Sequence, residues 1–219
     1  MLKMKQSITA VLVTGFEPFG GEKENPSALI ARSLHGQLIG GCQVTGVVLP
    51  CVFGEAITVL KRALREVQPG LVICVGQAGG RAEITPERIA INLDDARIPD
   101  NAGRQPMDRP IVRRAPVAYW STLPIKAIVA ALRRRKIPAT VSPTAGTYVC
   151  NHVFYGLMHA LRRKPGIRGG FIHVPFLPEQ ASAGQPSLPL PRMTRAISIS
   201  IEVALNTRRD AKTPGGQTH

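Results

Sequence analysis

Aromatic side chains are scarce in this chain, at 5% of 219 residues. So thin a supply gives no RNP-like aromatic strand on which bases would stack. Only four cysteines occur, Cys42, Cys51, Cys74 and Cys150. They form no CxxC pair and no zinc-ligand spacing, which argues against a disulfide framework or a metal knuckle and leaves reduced thiols. No apolar run approaches the roughly 18 residues needed to cross a bilayer. Lys3 and Lys5 precede "ITAVLV", about half the length of a signal h-region, and that run meets "TGFEPFGG" where a small-residue cleavage site would stand. A soluble, cytoplasmic protein with no membrane partner is expected. Acidic residues are also few, 14 against 28 lysines and arginines, for a net charge of +14.

What is present is ample apolar material, 44% of the chain, enough for one continuous core. Short β-rich runs alternate with amphipathic helical ones, the pattern of an α/β fold. Strands are predicted at 9–14, 44–49, 71–75, 139–142 and 170–174, and helices at 26–38, 54–67, 124–136, 148–163 and 192–206. Asn25 and Pro26 give the first helix its N-cap and first position. The second places Ala56, Val59, Leu60, Ala63, Leu64 and Val67 on one face and stops at Pro69-Gly70. Between 77 and 118 the alternation lapses into an irregular or hairpin-like polar excursion, of the kind that usually carries function. The expected architecture is a single-domain, three-layer α/β/α sandwich around a mostly parallel twisted sheet. Residues 1–206 would form it, with 207–219 a basic, disordered tail.

In such a sheet, ligands bind at the carboxyl ends of the strands. Cys150 follows a predicted strand and the turn "PTAG", and falls in the first turn of a helix, whose unpaired N–H groups and dipole would lower a thiol's pKa. Cys74 lies inside the buried run "LVICVG", and Cys51 lacks a helix start; these and Cys42 read as small buried hydrophobes. A cysteine nucleophile needs a base. His152 is two residues on, about 200° around the helix, and His159 is about 13 Å along its axis, so both read as packing or capping residues. His35 closes the first helix and His219 lies in the tail. His173, in "GGFIHVPF", stands at the carboxyl end of the following strand and can meet the thiol. A carboxylate from the excursion would orient the imidazole, with Glu83, Glu87, Asp94, Asp95 and Asp100 as open alternatives. Gly76, Gly79 and Gly80 match no dinucleotide or P-loop motif and read as a tight turn that lets something approach closely.

Five segments, "VLVTGFEPFGG", "LPCVFGEA", "GQAGGRAEITPERIAINLDDARIPDN", "AGTYVCNH" and "GFIHVPFLPEQ", spread in order over residues 9–206, resemble the type I pyroglutamyl peptidases, also called pyrrolidone-carboxylate peptidases. The resemblance implies a cysteine omega peptidase that removes N-terminal pyroglutamate from peptides through a thioester. It selects Glu87 from the open carboxylates, beside Cys150 and His173. It also implies that Phe16 and Phe19 sandwich the lactam ring and that Gln77 meets its polar edge, with Ile98, Tyr148 and Val149 as pocket wall and Arg97 as a candidate oxyanion donor. It implies a homotetramer, no cofactor and no metal.

The alternative reading is a basic nucleic-acid-binding protein. The blocks "RRRK" at 133–136 and "RRK" at 162–164 close predicted helices. In a parallel sheet those ends lie opposite the strand carboxyl ends. The charge is thus expected to face away from the crevice, with no specific nucleic-acid partner.

Overall fold

The computed structural model describes residues 10–216; Lys3, Lys5 and His219, named above, lie outside them. The chain runs β1 (Ala10–Phe16), α1 (Pro26–Leu34), β2 (Leu38–Ile39), β3 (Cys42–Leu49), α2 (Glu55–Val67), β4 (Leu71–Gln77), β5 (Thr85–Ile91), β6 (Ala118–Trp120), α3 (Ile125–Arg134), β7 (Ser142–Thr144), α4 (Val149–Leu161), β8 (Arg168–Val174) and α5 (Leu190–Asn206). The strand order is β2-β3-β1-β4-β8-β5-β6, with β7 also on β5.

Strand residues alternate between two cores because successive side chains point to opposite faces. Val11, Val13, Ile73 and Ile172 join α1, α3 and α5 in one core, whereas Leu12, Val72, Cys74 and Phe171 join α2 and α4 in the other. That is the expected three-layer sandwich. Its centre, β3-β1-β4-β8, is parallel.

The excursion departs from the parallel pattern. β5 runs antiparallel to β8, pairing Thr85 with His173, and then forms a wide hairpin with β6. β7 is parallel to β5. The sheet is therefore mixed, with β5 and β7 running opposite to its parallel centre.

This reversal corrects the expected placement of charge. Ile84 N–H donates to Pro138 O over 2.9 Å, and Ile84 bridges Ala139 in the residue just before Thr85. The C-terminus of α3, with "RRRK", thus arrives at the end of the sheet where β8 finishes. Arg135, Arg192 and Arg195 line one cavity of about 340 Å³ there. The "RRK" block does lie at the far end, just before the start of β8.

Two further boundaries differ from expectation. α1 ends at Leu34 instead of 38, because Gly36 takes a φ of 78° and the chain enters the β2-β3 hairpin. Residues 207–216, expected to be disordered, have definite contacts: Asp210 accepts the Lys126 and Ala127 N–H groups at the start of α3, 3.1 and 2.9 Å away. Arg88 reaches Gly215 O. A carboxylate at an otherwise uncapped helix start replaces bonds the helix lacks.

Candidate active site

Three elements converge where β4 and β8 end. On β8, His173 is 4% exposed and its Nδ1 lies 2.7 Å from Glu87 Oε1. Glu87, on β5, is fully buried. A carboxylate only accepts, so it holds the imidazole proton on Nδ1 and leaves Nε2 as the basic nitrogen.

The glycine at position 76 locates Cys150. Gly76 pairs with His173 across β4 and β8, so a side chain there would share the face of His173 and of Phe171, two residues before it. A Cβ on Gly76 would meet the Phe171 ring at 2.7 Å and Cys150 Sγ at 2.9 Å. The sulfur therefore occupies the space above the strand pair, on the face His173 presents. No other residue type fits beneath it.

The start of α4 is held in place by Asn151, which is fully buried. Its Oδ1 accepts the Ile91 N–H at 3.0 Å, and its Nδ2 donates to Ile91 O and Leu93 O. These bonds lock the first turn of α4 to the end of the strand that carries Glu87. Tyr148, the N-cap, makes no side-chain cap bond, so the N–H groups of the first turn remain donors for an anion.

The expected lowering of the Cys150 pKa is not what the surroundings produce. Burial pushes the thiol well above its ordinary value; Cys51 and Glu87 nearby push the same way, Arg81 opposes them, and Cys74 adds to the rise. The residue as a whole is nonetheless of intermediate exposure.

The remaining carboxylates separate by environment. Asp94 bonds His152 Nδ1 at 2.8 Å, and Asp100 accepts from the N–H groups of Phe53, Ala102 and Arg104. Both are buried structural acceptors. Asp95 is exposed and Glu83 is of intermediate exposure. His152 accepts the Gly54 N–H at 2.9 Å, and His159 meets the Tyr119 hydroxyl at 2.9 Å. Both histidines thus have packing or capping partners.

The pocket residues are brought to this end unequally. Phe16 is buried against Phe171, with ring centres 6.3 Å apart, whereas Phe19 stands against Tyr148 at 5.8 Å. Gln77 ends β4, and its Oε1 accepts from Gln180 Nε2 at 3.2 Å. Tyr148 donates to Pro99 O at 3.1 Å. Ile98 is 37% exposed and reaches the Gly20 loop, and Val149 is fully buried in the core. Arg97 is exposed, and its carbonyl accepts from Gln105.

Sequence reasoning passed over Arg81, Asn151 and Gln180. Arg81 NH1 lies 2.8 Å from Glu87 Oε1. Gln180 links Gln77 to Glu22 and to Glu24 O. Each role depends on which loops the fold brings together, and only the clustering of polar residues in "GQAGGR" and "LPEQ" marked the places.

Known proteins resemble this chain over nearly its whole length. The family model described as pyroglutamyl peptidase matches residues 9–207. A pyrrolidone-carboxylate peptidase of Klebsiella pneumoniae is 58% identical over 97% of this chain and 100% of its own. One from Bacillus cytotoxicus is 57% identical over 95% and 99%. Among solved structures, pyroglutamyl peptidase I of Bacillus amyloliquefaciens superposes with a TM-score of 0.92 at 49% identity, covering 94% of this chain and 100% of that one. Pyrrolidone carboxyl peptidase of Thermococcus litoralis gives 0.91 at 43%, with the same coverage. With the family model spanning nearly the whole chain, and relatives this similar end to end, this protein belongs to the pyroglutamyl peptidase family.

Proposed function

We propose that this protein is a cysteine omega peptidase that hydrolyses the amide bond after an N-terminal pyroglutamyl residue. The observation that carries the site assignment is the Glu87–His173 pair set on the same face as the Cys150 sulfur above Gly76.

The chemistry follows from the groups. His173 Nε2 takes the Cys150 proton as the sulfur attacks the pyroglutamyl carbonyl carbon, and the carbonyl electrons move to its oxygen. First-turn N–H groups of α4 hold that oxyanion. Collapse breaks the C–N bond, and the imidazolium returns its proton to the leaving amine. Water, deprotonated by His173, then attacks the thioester, releasing pyroglutamate and restoring the thiol.

Phe19, Ile98 and Tyr148 would supply apolar faces for a lactam that carries no α-ammonium, with Phe16 and Val149 packed behind them. Gln77, whose Oε1 is already engaged, would offer its NH₂ to the lactam carbonyl. A cytoplasmic location and assembly as a homotetramer belong to the same proposal, the homotetramer resting on the family resemblance.

The test is release of a fluorescent amine from a pyroglutamyl amide under reducing conditions, beside Cys150→Ser and Cys74→Ser. Loss of turnover in Cys150→Ser, with Cys74→Ser active, is the expected result. Equal cleavage of free N-terminal glutamyl or glutaminyl amides would sink the pocket assignment.

A further inference from the structure

Arg81 meets the site from behind. It follows Gly80, whose φ is 82°, in the turn after β4. One guanidinium nitrogen donates to Glu87 Oε1 at 2.8 Å and to Thr85 Oγ1 at 2.7 Å, and Thr85 is the residue paired with His173. Glu87 Oε1 thus receives both Arg81 and the imidazole Nδ1–H. Its other oxygen, Oε2, is buried without a hydrogen-bond partner.

This lopsided arrangement has a chemical consequence. A fully buried carboxylate facing only a neutral imidazole would favour its protonated form, because burial penalises the charge. A protonated Glu87 could donate its own O–H to Nδ1. The imidazole proton would then sit on Nε2, the nitrogen that has to accept from the thiol. The guanidinium supplies the positive charge that holds Glu87 as an acceptor.

We propose that Arg81 is a positioning residue of the reaction: it anchors Glu87 Oε1 as the acceptor of the imidazole Nδ1–H and so fixes His173 in the tautomer whose Nε2 can take the Cys150 proton. Arg81 acts through Glu87 and touches neither the substrate nor the sulfur in this scheme. Its charge also favours the Cys150 thiolate against the influence of burial. The side chain is 34% exposed, and it lines a cavity of about 450 Å³ with Glu83, Thr85, Ser142 and Thr144. A small guanidinium ion can therefore reach the place it leaves.

The inference rests on the hydrolase reading above, so its test has two readouts. With a pyroglutamyl amide as substrate, Arg81→Ala should lower kcat by about 10²-fold, the low end of what loss of general-base catalysis costs, with KM little changed. Added guanidinium chloride below denaturing concentrations should restore kcat in Arg81→Ala, and Arg81→Lys should keep most of the wild-type kcat. An Arg81→Ala enzyme with unchanged kcat, or one whose loss guanidinium does not rescue, overturns the proposal.

The second readout is alkylation of Cys150 by iodoacetamide as a function of pH, followed by peptide mapping, which needs no turnover. Slower alkylation in Arg81→Ala than in the wild type at neutral pH is expected, and superimposable profiles overturn the proposal. A wild type that alkylates at Cys150 but turns over no pyroglutamyl amide would defeat the hydrolase reading alone. Should Arg81→Ala fail to fold, as circular dichroism would reveal, Arg81→Gln and Arg81→Lys carry the same comparison, since both retain the first part of the stem and they differ in charge.

Discussion

At Gly76 a missing side chain makes room for the chemistry. A methyl group there would stand 2.7 Å from a Phe171 ring carbon and 2.9 Å from Cys150 Sγ. Phe171 is fully buried between Phe16 and Phe154 and cannot swing aside. The strain must therefore fall on the first turn of α4. Displacing a reacting atom by about 1 Å can cost on the order of 10²-fold in rate, and overpacking a core costs about 1–3 kcal/mol. Gly76→Ala should lower kcat/KM by roughly 10²-fold while also lowering the urea midpoint. Near-normal activity would show that the sulfur is not where it crosses this strand. The same position illustrates what sequence can convey: "VGQAGG" marks a close approach, but only the register of β4 on β8 tells what approaches.

Elements explain which parts of the fold and site were legible. Helices α2 to α5 and the parallel strands show clean periodicity and stop signals, so their sequence boundaries fall within a few residues of the observed ones. β5 does not, because "TPERIAI" carries a proline and two charges, and its buried Glu87 looks like a loop residue until its partners are known. Cys150 and His173 were readable because each stands at a strand or helix terminus. Glu87 and Arg81 were not, since both depend on β5 reversing direction. His152 shows the same dependence: it bonds Asp94 through Nδ1 and caps Gly54, joining α4, the excursion and the start of α2. Removing it leaves a buried carboxylate without its imidazole partner. His152→Ala should destabilise by about 2–3 kcal/mol, the scale of a lost hydrogen bond to a charged group. In a double-mutant cycle with Asp94→Asn, urea unfolding should show the two effects well short of additive. Strict additivity would mean that this pair does not tie the elements together.

At the scale of the molecule, the reversal of β5 and β7 decides how the net charge of +14 is used. Had the sheet been parallel throughout, the C-terminus of α3 would lie far from the strand ends that carry Gly76 and His173. Instead, Arg133 holds Ala139 O at 2.7 Å, one residue pair from Thr85 and His173, and Arg192 bonds the Lys136 carbonyl. Arg134, Arg135 and Arg195 are exposed at that same end. Their field lies on the α3 and α5 side of the sheet, across it from the sulfur. It is therefore a long-range influence, effective when the Debye length is large: about 30 Å at 0.01 M salt but about 10 Å at 0.1 M. Such a field raises encounter rates with anions and leaves the chemical step alone. For a pyroglutamyl peptide with acidic residues downstream, kcat/KM should fall about tenfold between low and high salt, with kcat constant. A neutral pyroglutamyl amide should show little dependence. Arg134→Gln combined with Arg195→Gln should flatten the salt dependence for the acidic peptide without changing turnover of the neutral one, since neither side chain has a part in the proposed catalytic scheme. If both substrates respond to salt equally, the charge at this end does not steer substrate, and its placement beside the site has no bearing on encounter.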